Sequence, residues 1–473
     1  MRLALLVTVL TWIVVPPASA QVSQLKTVFE LSNGDQTPTY PRIIDWWKQL
    51  DRMTGQVRME TRGQTDAGFP LHLVVVSADG KTDWPSIKRS GKRIILINNG
   101  IHPGEPDGID ASMILVRDIV TRKIDLPTQV VLAIIPVYNI GGAINRSEFY
   151  RPDQNGPASF GSRGNSQNLD LNRDFIKCDS KEALSFVQLF RDLDPDVFID
   201  NHVSNGADYQ HVMTLLTTQY DKLGGSMGTY LREKFEPAIY SKMKEKGYDL
   251  VPYVNSWGDK PEGGWSMYWD GPRYSSGYAA LWQCFSFVPE THMLKSYSER
   301  VLATGALMQS FIAFTAQYAE EIRQVRLKQR EEVIKSAGLP VGWTVDKSQV
   351  DSFLYKGYQA GYKPSEVSGM DRLYYNREKP FEKKVPVQTH YRAERIISKP
   401  AYYVLPQGWH RVVERLEANR VQMRRLSRDT TIECEVYRVL EYKSPTRPYE
   451  GHHPHTNVQV EKMVQLLSFP KGD

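Results

Sequence analysis

Two kinds of hydrophobic pattern alternate along the first two thirds of the chain. Short, continuous apolar runs predict buried β-strands at residues 71–76, 93–97, 130–135 and 196–200. Apolar positions that recur every three or four residues predict helices at residues 43–53, 107–119, 186–193 and 298–337. Because strands alternate with helices, the sequence predicts an α/β fold with a mixed, mostly parallel central sheet flanked by helices. The last of these helices is expected to close a domain that spans residues 21–337.

The pattern changes after that helix. Aromatic residues and prolines interleave up to about residue 400, and a helix-like segment follows at 409–416. Alternating polar and apolar positions at 431–437 and 458–469 predict further strands. We therefore expect residues 338–473 to form a linker and a smaller, β-rich C-terminal domain. The chain ends on a turn-like sequence, so we expect this domain to be truncated.

The first twenty residues have the pattern of a secretory signal peptide. Arg2 supplies a positive start, residues 3–15 are almost entirely apolar, and Pro16-Pro17 ends the run. Ala18-Ser19-Ala20 is a cleavage site of small residues. The sequence predicts a secreted or periplasmic protein whose mature chain starts near Gln21, with an uncleaved membrane anchor as the alternative.

Composition narrows the class of protein. The 473 residues are 41% hydrophobic and 24% charged, which is typical of a globular protein with a large core. No internal run approaches about 18 apolar residues, so no membrane span is expected in the mature chain. Basic residues outnumber acidic ones by 22 to 16 from residue 340 onward, but they are dispersed, so no nucleic-acid partner is expected. The three cysteines match no metal spacing and leave one disulfide possible.

The strongest chemical signal follows two of the predicted strands. His102 and Glu105 are three residues apart, directly after the strand that ends at residue 97, and His202 follows the strand at 196–200. In open α/β sheets, ligand sites lie beyond the carboxyl ends of the strands. Two imidazoles and one carboxylate with a fourth position open are the protein ligands of a catalytic zinc. The sequence therefore predicts a zinc site formed by His102, Glu105 and His202.

Several motifs together resemble the M14 family of zinc carboxypeptidases. They are His102-Pro103-Gly104-Glu105, Asp170-Leu171-Asn172-Arg173, the strand-end His202 and the later Glu290. The resemblance covers about residues 40–320, and residues 289–295 are most similar to a bacterial, secreted subgroup with an extra C-terminal domain. It implies one zinc ion per chain and a peptide substrate with a free C-terminal carboxylate, from which the last residue is removed.

The resemblance also implies roles for individual residues. Asn172 and Arg173 would hold the terminal carboxylate of the substrate, since a guanidinium pairs with two carboxylate oxygens at once. Asp170 would orient His102 without binding the metal itself. Glu290, at the end of an apolar run, would act as the general base that takes a proton from zinc-activated water.

Two of the implied roles stay open between several residues. The family has an arginine that polarises the scissile carbonyl, which falls here on Arg163, although Arg146 and Arg151 compete for the role. The family also has a mobile tyrosine that caps the substrate. Its candidates in this sequence are Tyr268, Tyr274 and Tyr278.

Alternative functions remain at this point. Only 96 residues lie between Glu105 and His202, which is closer to zinc amidohydrolases that deacylate N-acyl amino acids, or to enzymes acting on cell-wall peptides. An inactive binding module that kept the fold is a further alternative, but it would be expected to have lost a ligand or the base. A serine hydrolase is not indicated, because no G-x-S-x-G motif is present.

Overall fold

The structure is a computed structural model that describes residues 18–256 and 260–473. Most of the predicted signal peptide, residues 1–17, lies outside the described residues. The described chain begins with a short helix at the last three positions of that segment.

The first half of the chain alternates strands and helices, as the hydrophobic pattern predicts. The elements up to residue 204 are α1 Ala18–Ser23, α2 Val28–Leu31, α3 Tyr40–Met53, β1 Val57–Gln64, β2 Pro70–Ser77, α4 Trp84–Ser90, β3 Arg93–Asn98, α5 Asp107–Val120, β4 Val130–Ile135, α6 Ile140–Ile144, β5 Arg146–Ser147, β6 Phe160–Gly161, α7 Lys181–Leu193, β7 Val197–Asp200 and β8 His202–Ser204. A 3₁₀ turn at Leu171–Arg173 carries part of one predicted motif.

Shorter elements lead from β8 to the end of the predicted first domain. They are β9 Met213–Thr217, α8 Tyr220–Leu223, α9 Gly225–Tyr230, α10 Glu236–Glu245, β10 Trp265–Ser266, α11 Ser275–Leu281, β11 Phe285–His292, α12 Tyr297–Gln317 and α13 Ala319–Lys335. A π turn at Leu231–Phe235 joins α9 to α10, and a 3₁₀ turn occupies Pro261–Gly263.

Eight strands form one central sheet. Its order is β1-β2-β4-β3-β7-β11-β8, and β9 pairs with β11 off this path. The strands from β4 to β8 in this order run parallel, whereas β1, β2 and β9 pair antiparallel. The prediction of a mixed, mostly parallel sheet is therefore confirmed, and β1, β8 and β9 are strands of this sheet that the hydrophobic pattern did not reveal.

Helices cover both faces of this sheet because successive strand residues point to opposite sides. On one face, Ile95 and Ile97 of β3 pack in the same core as Leu115 of α5 and Phe311 of α12. On the other face, Ile94 and Leu96 belong to a core with Phe186 and Phe190 of α7 and Tyr278 of α11. The sheet is thus the middle layer of three, and its strands are apolar on both sides.

The predicted long helix over 298–337 is instead two helices. Its path changes at Tyr318, which has φ −115° and ψ 29° and so lies outside the helical region. Beyond this break, the buried Arg326 of α13 lies 2.7 Å from both Asp194 and Asp196, just before β7. No glycine or proline marks the break, so the hydrophobic pattern continues through it.

The last third of the chain is rich in strands, and the first of them begins three residues after α13 ends. Its elements are β12 Gly338–Val345, β13 Asp351–Pro364, β14 Asp371–Gln388, β15 Tyr391–Ser398, a 3₁₀ turn Gln407–Trp409, α14 His410–Ala418, β16 Thr430–Lys443 and β17 Thr456–Phe469. The stretch up to about residue 400 thus carries four strands, β12 to β15. β14 also pairs with β10, so one small sheet crosses the predicted boundary at residue 337.

Two further sequence expectations concern the whole chain. No helix in the described ranges is long and apolar enough to cross a bilayer. All three cysteines are free thiols, with Cys178 and Cys284 buried and Cys434 partly exposed, so the disulfide that the sequence left open is not formed.

Candidate active site

The ends of neighbouring parallel strands meet at one edge of the central sheet. β3 and β7 pair with Asn98 opposite Asp200, and His202 follows two residues later. β11 runs parallel to β8 with Glu290 opposite His202. The turn after β3 carries His102 and Glu105. Residues far apart in sequence are therefore brought to one place by the parallel pairing of β3, β7 and β11.

His102, Glu105 and His202 form a buried cluster at this edge. Glu105 Oε1 lies 3.4 Å from His102 Nδ1, and Glu105 Oε2 lies 3.1 Å from His202 Nδ1. One ligand atom of each residue lies within 4.8 Å of the other two. Among the residues that the structure describes, this is the only such group of three histidine, cysteine or acidic side chains.

The donor atoms of this cluster fit a zinc ion. His102 Nε2 lies 2.9 Å from Asp170 Oδ1, and His202 Nε2 lies 2.9 Å from Asp200 Oδ2. Because a carboxylate only accepts hydrogen bonds, each Nε2 carries a proton, which leaves Nδ1 of both rings to bind a cation. Two imidazole nitrogens and one carboxylate oxygen are a donor set that catalytic zinc takes in proteins.

The charges in the cluster are strongly coupled. Burial opposes a charge on His202, but the Asp200 and Glu105 carboxylates raise its pKa well above the ordinary value. Burial also opposes a charge on Glu105, but His102 and Arg151 hold its pKa well below the usual range. Glu105 is therefore a carboxylate, and a bound cation would take the place of the extra proton on His202.

A network of asparagines holds the two strand ends together. Asn98 Nδ2 donates to Asp200 Oδ1 at 2.9 Å, and Asn201 Nδ2 donates to Asn99 Oδ1 at 2.8 Å. A Cβ at Gly108, in the first turn of α5, would lie 2.3 Å from Asn99 Oδ1. Only glycine leaves room for this network between α5 and the strand ends.

Arg163 lies at the mouth of the cluster. Its Nε and Nη2 donate to Asp170 Oδ2 at 3.0 and 2.8 Å, and Nη1 lies 3.3 Å from His102 Nδ1. The side chain is 50% exposed, so a substrate group can reach it. Arg163 is therefore placed where an arginine can contact a carbonyl bound beside the cluster.

The two competing arginines are held differently. Arg151 Nη1 donates to Glu105 Oε1 at 2.6 Å and Nη2 donates to Val203 O at 2.9 Å, so this guanidinium orients a candidate ligand. Arg146 donates to the carbonyl oxygens of Thr37, Pro38 and Ser159 and takes no part in the cluster. Of the three, Arg163 alone combines proximity to His102 with substantial exposure.

The Asp170-Leu171-Asn172-Arg173 motif forms a tight turn beside the cluster. Asp170 Oδ1 accepts a hydrogen bond from the backbone N–H of Asn172 at 2.9 Å, at the start of the 3₁₀ turn. It also accepts one from His102. Asn172 Nδ2 lies 3.5 Å from His202 Nε2. The predicted partner of His102 and the predicted carboxylate-binding residues are thus fixed by one local structure.

Arg173, at the end of this turn, has part of its guanidinium free. Nη1 donates to Asn172 O at 2.8 Å, and Nε donates to Tyr449 Oη at 3.0 Å. The guanidinium carbon lies 4.6 Å from the centre of the Tyr274 ring. Within the described residues Nη2 makes no hydrogen bond, so it is available to a ligand.

Glu290 lies in β11, directly opposite His202 of β8. Burial raises the pKa of its carboxyl to about 7, with His202 opposing the shift and Glu105 adding to it. Among the described residues its carboxylate accepts no hydrogen bond. A cation in the cluster would lower the pKa again by Coulomb attraction, which leaves an unpaired base beside the ligands.

The three tyrosine candidates separate into two environments. Tyr278 is fully buried in the core beneath α11, where its hydroxyl donates to Asn419 Oδ1 at 2.7 Å. Tyr268 and Tyr274 pack on each other with ring centres 5.4 Å apart, next to Arg173. The position beside Arg173 is therefore held by Tyr268 and Tyr274, not by Tyr278.

Three residues at the site were not singled out from the sequence. Asp200 lies two positions before His202, and residues two apart on an extended chain share a face, so this spacing could have indicated it. Tyr449 and Glu450 come from the connection between β16 and β17, and Glu450 Oε2 accepts from the Asp170 amide at 2.9 Å. No local pattern predicts a contact between segments 280 residues apart.

Comparison with solved structures finds carboxypeptidases among the similar chains. They include a metallo-carboxypeptidase from Burkholderia cenocepacia, at 16% identity, with 59% of this chain and 70% of that chain covered and a TM-score of 0.45. A metallo-carboxypeptidase from Pseudomonas aeruginosa is 14% identical, with 60% of this chain and 69% of that chain covered and a TM-score of 0.43. Carboxypeptidase A from Helicoverpa armigera is 13% identical, with 64% of this chain and 75% of that chain covered and a TM-score of 0.43. No curated protein matches the sequence.

The family comparison covers the segment that carries the predicted metal ligands. Residues 43–212 match the peptidase M14 family, described as zinc carboxypeptidase. This range includes His102, Glu105 and His202 as well as Arg173, whereas Glu290 lies beyond it. The segment that carries the predicted metal ligands is thus similar to the zinc carboxypeptidases.

Proposed function

We propose that the protein is a zinc-dependent carboxypeptidase that removes the last residue of peptides. The observation that carries this proposal is the buried His102, Glu105 and His202 cluster, in which both rings turn Nδ1 toward Glu105 and hold Nε2 against a carboxylate. A donor set arranged in this way, next to an arginine with free donors, suits hydrolysis of a substrate that ends in a carboxylate.

Each side chain around the cluster has a chemical task in this proposal. A zinc ion in the cluster supplies Lewis-acid chemistry, by polarising a carbonyl and making water more acidic. Glu290 accepts the proton of the attacking water and passes it to the leaving amine. Arg163 donates to the carbonyl oxygen as negative charge develops on it.

Binding of the substrate end decides which peptide bond is cut. Arg173 pairs with the terminal carboxylate through its free Nη2, and Asn172 contributes a second contact. A carboxylate held there fixes the last residue of the peptide at a set position relative to the cluster. The proposal therefore predicts an exopeptidase rather than an endopeptidase.

The location in the cell is proposed from the first twenty residues. A positive start, an apolar run and a small-residue cleavage site support export and cleavage near Gln21. Amino-terminal sequencing of exported protein should give a chain that starts there. A retained, uncleaved amino terminus would contradict export by this route.

A peptide-library digestion tests the proposed reaction. The purified protein is incubated with peptides and, separately, with N-acyl amino acids, and the products are identified by mass spectrometry. We expect single-residue shortening from the carboxyl end, loss of activity on chelation and recovery with zinc. Internal cleavage, or activity confined to N-acyl amino acids, would contradict the proposal, and the second result would favour the deacylase alternative.

A further inference from the structure

The connection between β16 and β17 reaches the substrate end of the candidate site. These two strands form a two-stranded antiparallel ribbon, and its connection lies against the Asp170-Leu171-Asn172-Arg173 turn. Glu450 Oε2 accepts from the Asp170 amide at 2.9 Å, and His452 Nε2 lies 2.6 Å from Asp179 Oδ2. Two polar contacts therefore fix the connection on the catalytic side of the molecule.

The tip of this connection has a defined turn geometry. Tyr449 and His452 exchange two backbone hydrogen bonds, of 2.7 and 3.1 Å. Between them, Glu450 and Gly451 have φ of 49° and 75°. Positive φ at both central residues is the geometry of a tight two-residue hairpin turn. The turn presents Tyr449 at a fixed position rather than on an irregular loop.

Tyr449 contacts the residue proposed to bind the substrate carboxylate. Its hydroxyl oxygen accepts from Arg173 Nε at 3.0 Å, so its own proton is not directed at Arg173. No hydrogen-bond acceptor for that proton is found among the described residues. The Arg273 guanidinium carbon lies 5.5 Å from the centre of the Tyr449 ring and adds positive charge beside it.

The turn borders the subsite without closing it. Tyr449 is 45% exposed and the Arg173 side chain is 20% exposed, so a ligand can reach both from solvent. A carboxylate paired with the free Nη2 of Arg173 can accept a second hydrogen bond from a donor on the same side. An exposed hydroxyl with an uncommitted proton is such a donor.

We propose that Tyr449 is a substrate-binding residue, which donates a hydrogen bond to the terminal carboxylate held by Arg173. The strand-rich C-terminal region thereby completes the carboxylate subsite of the catalytic part. This inference rests on the proposed carboxypeptidase function, because it needs a substrate that ends in a free carboxylate.

Removal of one oxygen atom tests the inference. In Tyr449→Phe the ring and the turn stay while the hydroxyl is lost. Hydrogen bonds to charged groups are strong enough that we expect kcat/KM for free-acid peptides to fall about 10- to 100-fold, mainly through KM. The same peptides with an amidated C-terminus should be affected much less. Tyr437→Phe, an exposed tyrosine of the same ribbon, is the matched control and should leave both values unchanged.

The outcomes separate this inference from the function on which it rests. If wild type prefers acid over amide peptides and Tyr449→Phe keeps the full preference, Tyr449 is only a structural contact and the inference is wrong. If wild type shows no preference for the free acid, the proposed function itself fails. A narrowed acid-to-amide ratio in Tyr449→Phe, with zinc content equal to wild type, supports the inference.

Discussion

In each candidate histidine ligand, the ring nitrogen that faces away from Glu105 is hydrogen-bonded to an aspartate carboxylate. Asp170 and Asp200 determine which ring nitrogen of His102 and His202 is protonated and how each ring is oriented. They also make the opposite nitrogen a stronger ligand for a metal ion. At the scale of single residues, the proposed metal site therefore depends on side chains that are not themselves candidate ligands.

Replacement of Asp200 tests this dependence. Asp200→Asn keeps the size of the side chain but loses its charge, so we expect zinc affinity to fall about 10- to 100-fold. Competition with a chromophoric chelator measures the change. Asp153→Asn, which alters an exposed aspartate, is the control. Equal zinc affinity in wild type and Asp200→Asn would contradict the role assigned to this carboxylate.

Glu290 makes the complementary prediction, since it should matter for turnover and not for metal binding. Glu290→Gln keeps the shape but cannot accept a proton, so we expect kcat to fall by about 10²- to 10⁴-fold with one zinc still bound per chain. Glu233→Gln on an exposed surface should change neither quantity. Loss of zinc together with activity would mean that Glu290 is a ligand and that the assignment of Glu105 needs revision.

At the scale of elements, the site depends on how closely α5 approaches the ends of β3 and β7. Gly108 allows this approach, because a Cβ there would lie 2.3 Å from Asn99 Oδ1 and 2.6 Å from Asn201 Cβ. We expect Gly108→Ala to lower the free energy of unfolding by about 1–3 kcal/mol and to weaken zinc binding.

Gly305 provides the control for this prediction. It lies within α12, and a Cβ there meets no atom within 4 Å beyond its own helix. Gly305→Ala should therefore raise the free energy of unfolding by up to about 1 kcal/mol, because alanine is the better helix former. Urea denaturation of both variants measures the difference. Equal stability of the two variants would show that the packing of α5 tolerates a side chain.

The same helix holds a buried acid that should make stability depend on pH. Burial raises the pKa of Asp110 to about 7, while its two hydrogen-bond donors, Thr37 and Tyr297, and Arg146 oppose the shift and Asp107 adds to it. In the unfolded chain this carboxyl has a pKa of about 3.9, so the folded state binds more protons between the two values. Its contribution to stability is therefore present at low pH and is lost as pH rises toward 7.

Asp110→Asn removes this titration. From pH 5 to pH 8 we expect wild type to lose about 2–3 kcal/mol of unfolding free energy that the variant does not lose. Urea denaturation at the two pH values measures both proteins under the same conditions. Parallel changes in wild type and variant would show that Asp110 is not the group responsible.

At the scale of the whole molecule, the sequence predicted what depends on local pattern. Apolar runs located β3, β4 and β7, and the positions of His102, Glu105 and His202 just after strands identified these three residues as neighbours. These inferences work because a parallel sheet places the carboxyl ends of its strands together.

What the sequence did not predict depends on contacts between distant segments. α13, which follows the break at Tyr318, makes ion pairs through Arg326 with Asp194 and Asp196, and no glycine or proline marks the break. The pairing of β10 with β14 joins segments more than 100 residues apart. The approach of Tyr449 to Arg173 likewise follows from the position of the whole β16–β17 ribbon, which no residue pattern near either position encodes.

The central claim, that this protein cleaves peptides by recognising a free C-terminal carboxylate, has one most direct test. The measurement is kcat/KM for matched free-acid and amidated peptides on wild type and on Arg173→Lys. A lysine cannot pair with two carboxylate oxygens, and loss of a buried charge partner commonly costs about 2–5 kcal/mol. We predict a strong preference of wild type for the acid, and a large loss of that preference in Arg173→Lys with zinc content unchanged. Equal cleavage of acid and amide peptides by wild type would contradict the account.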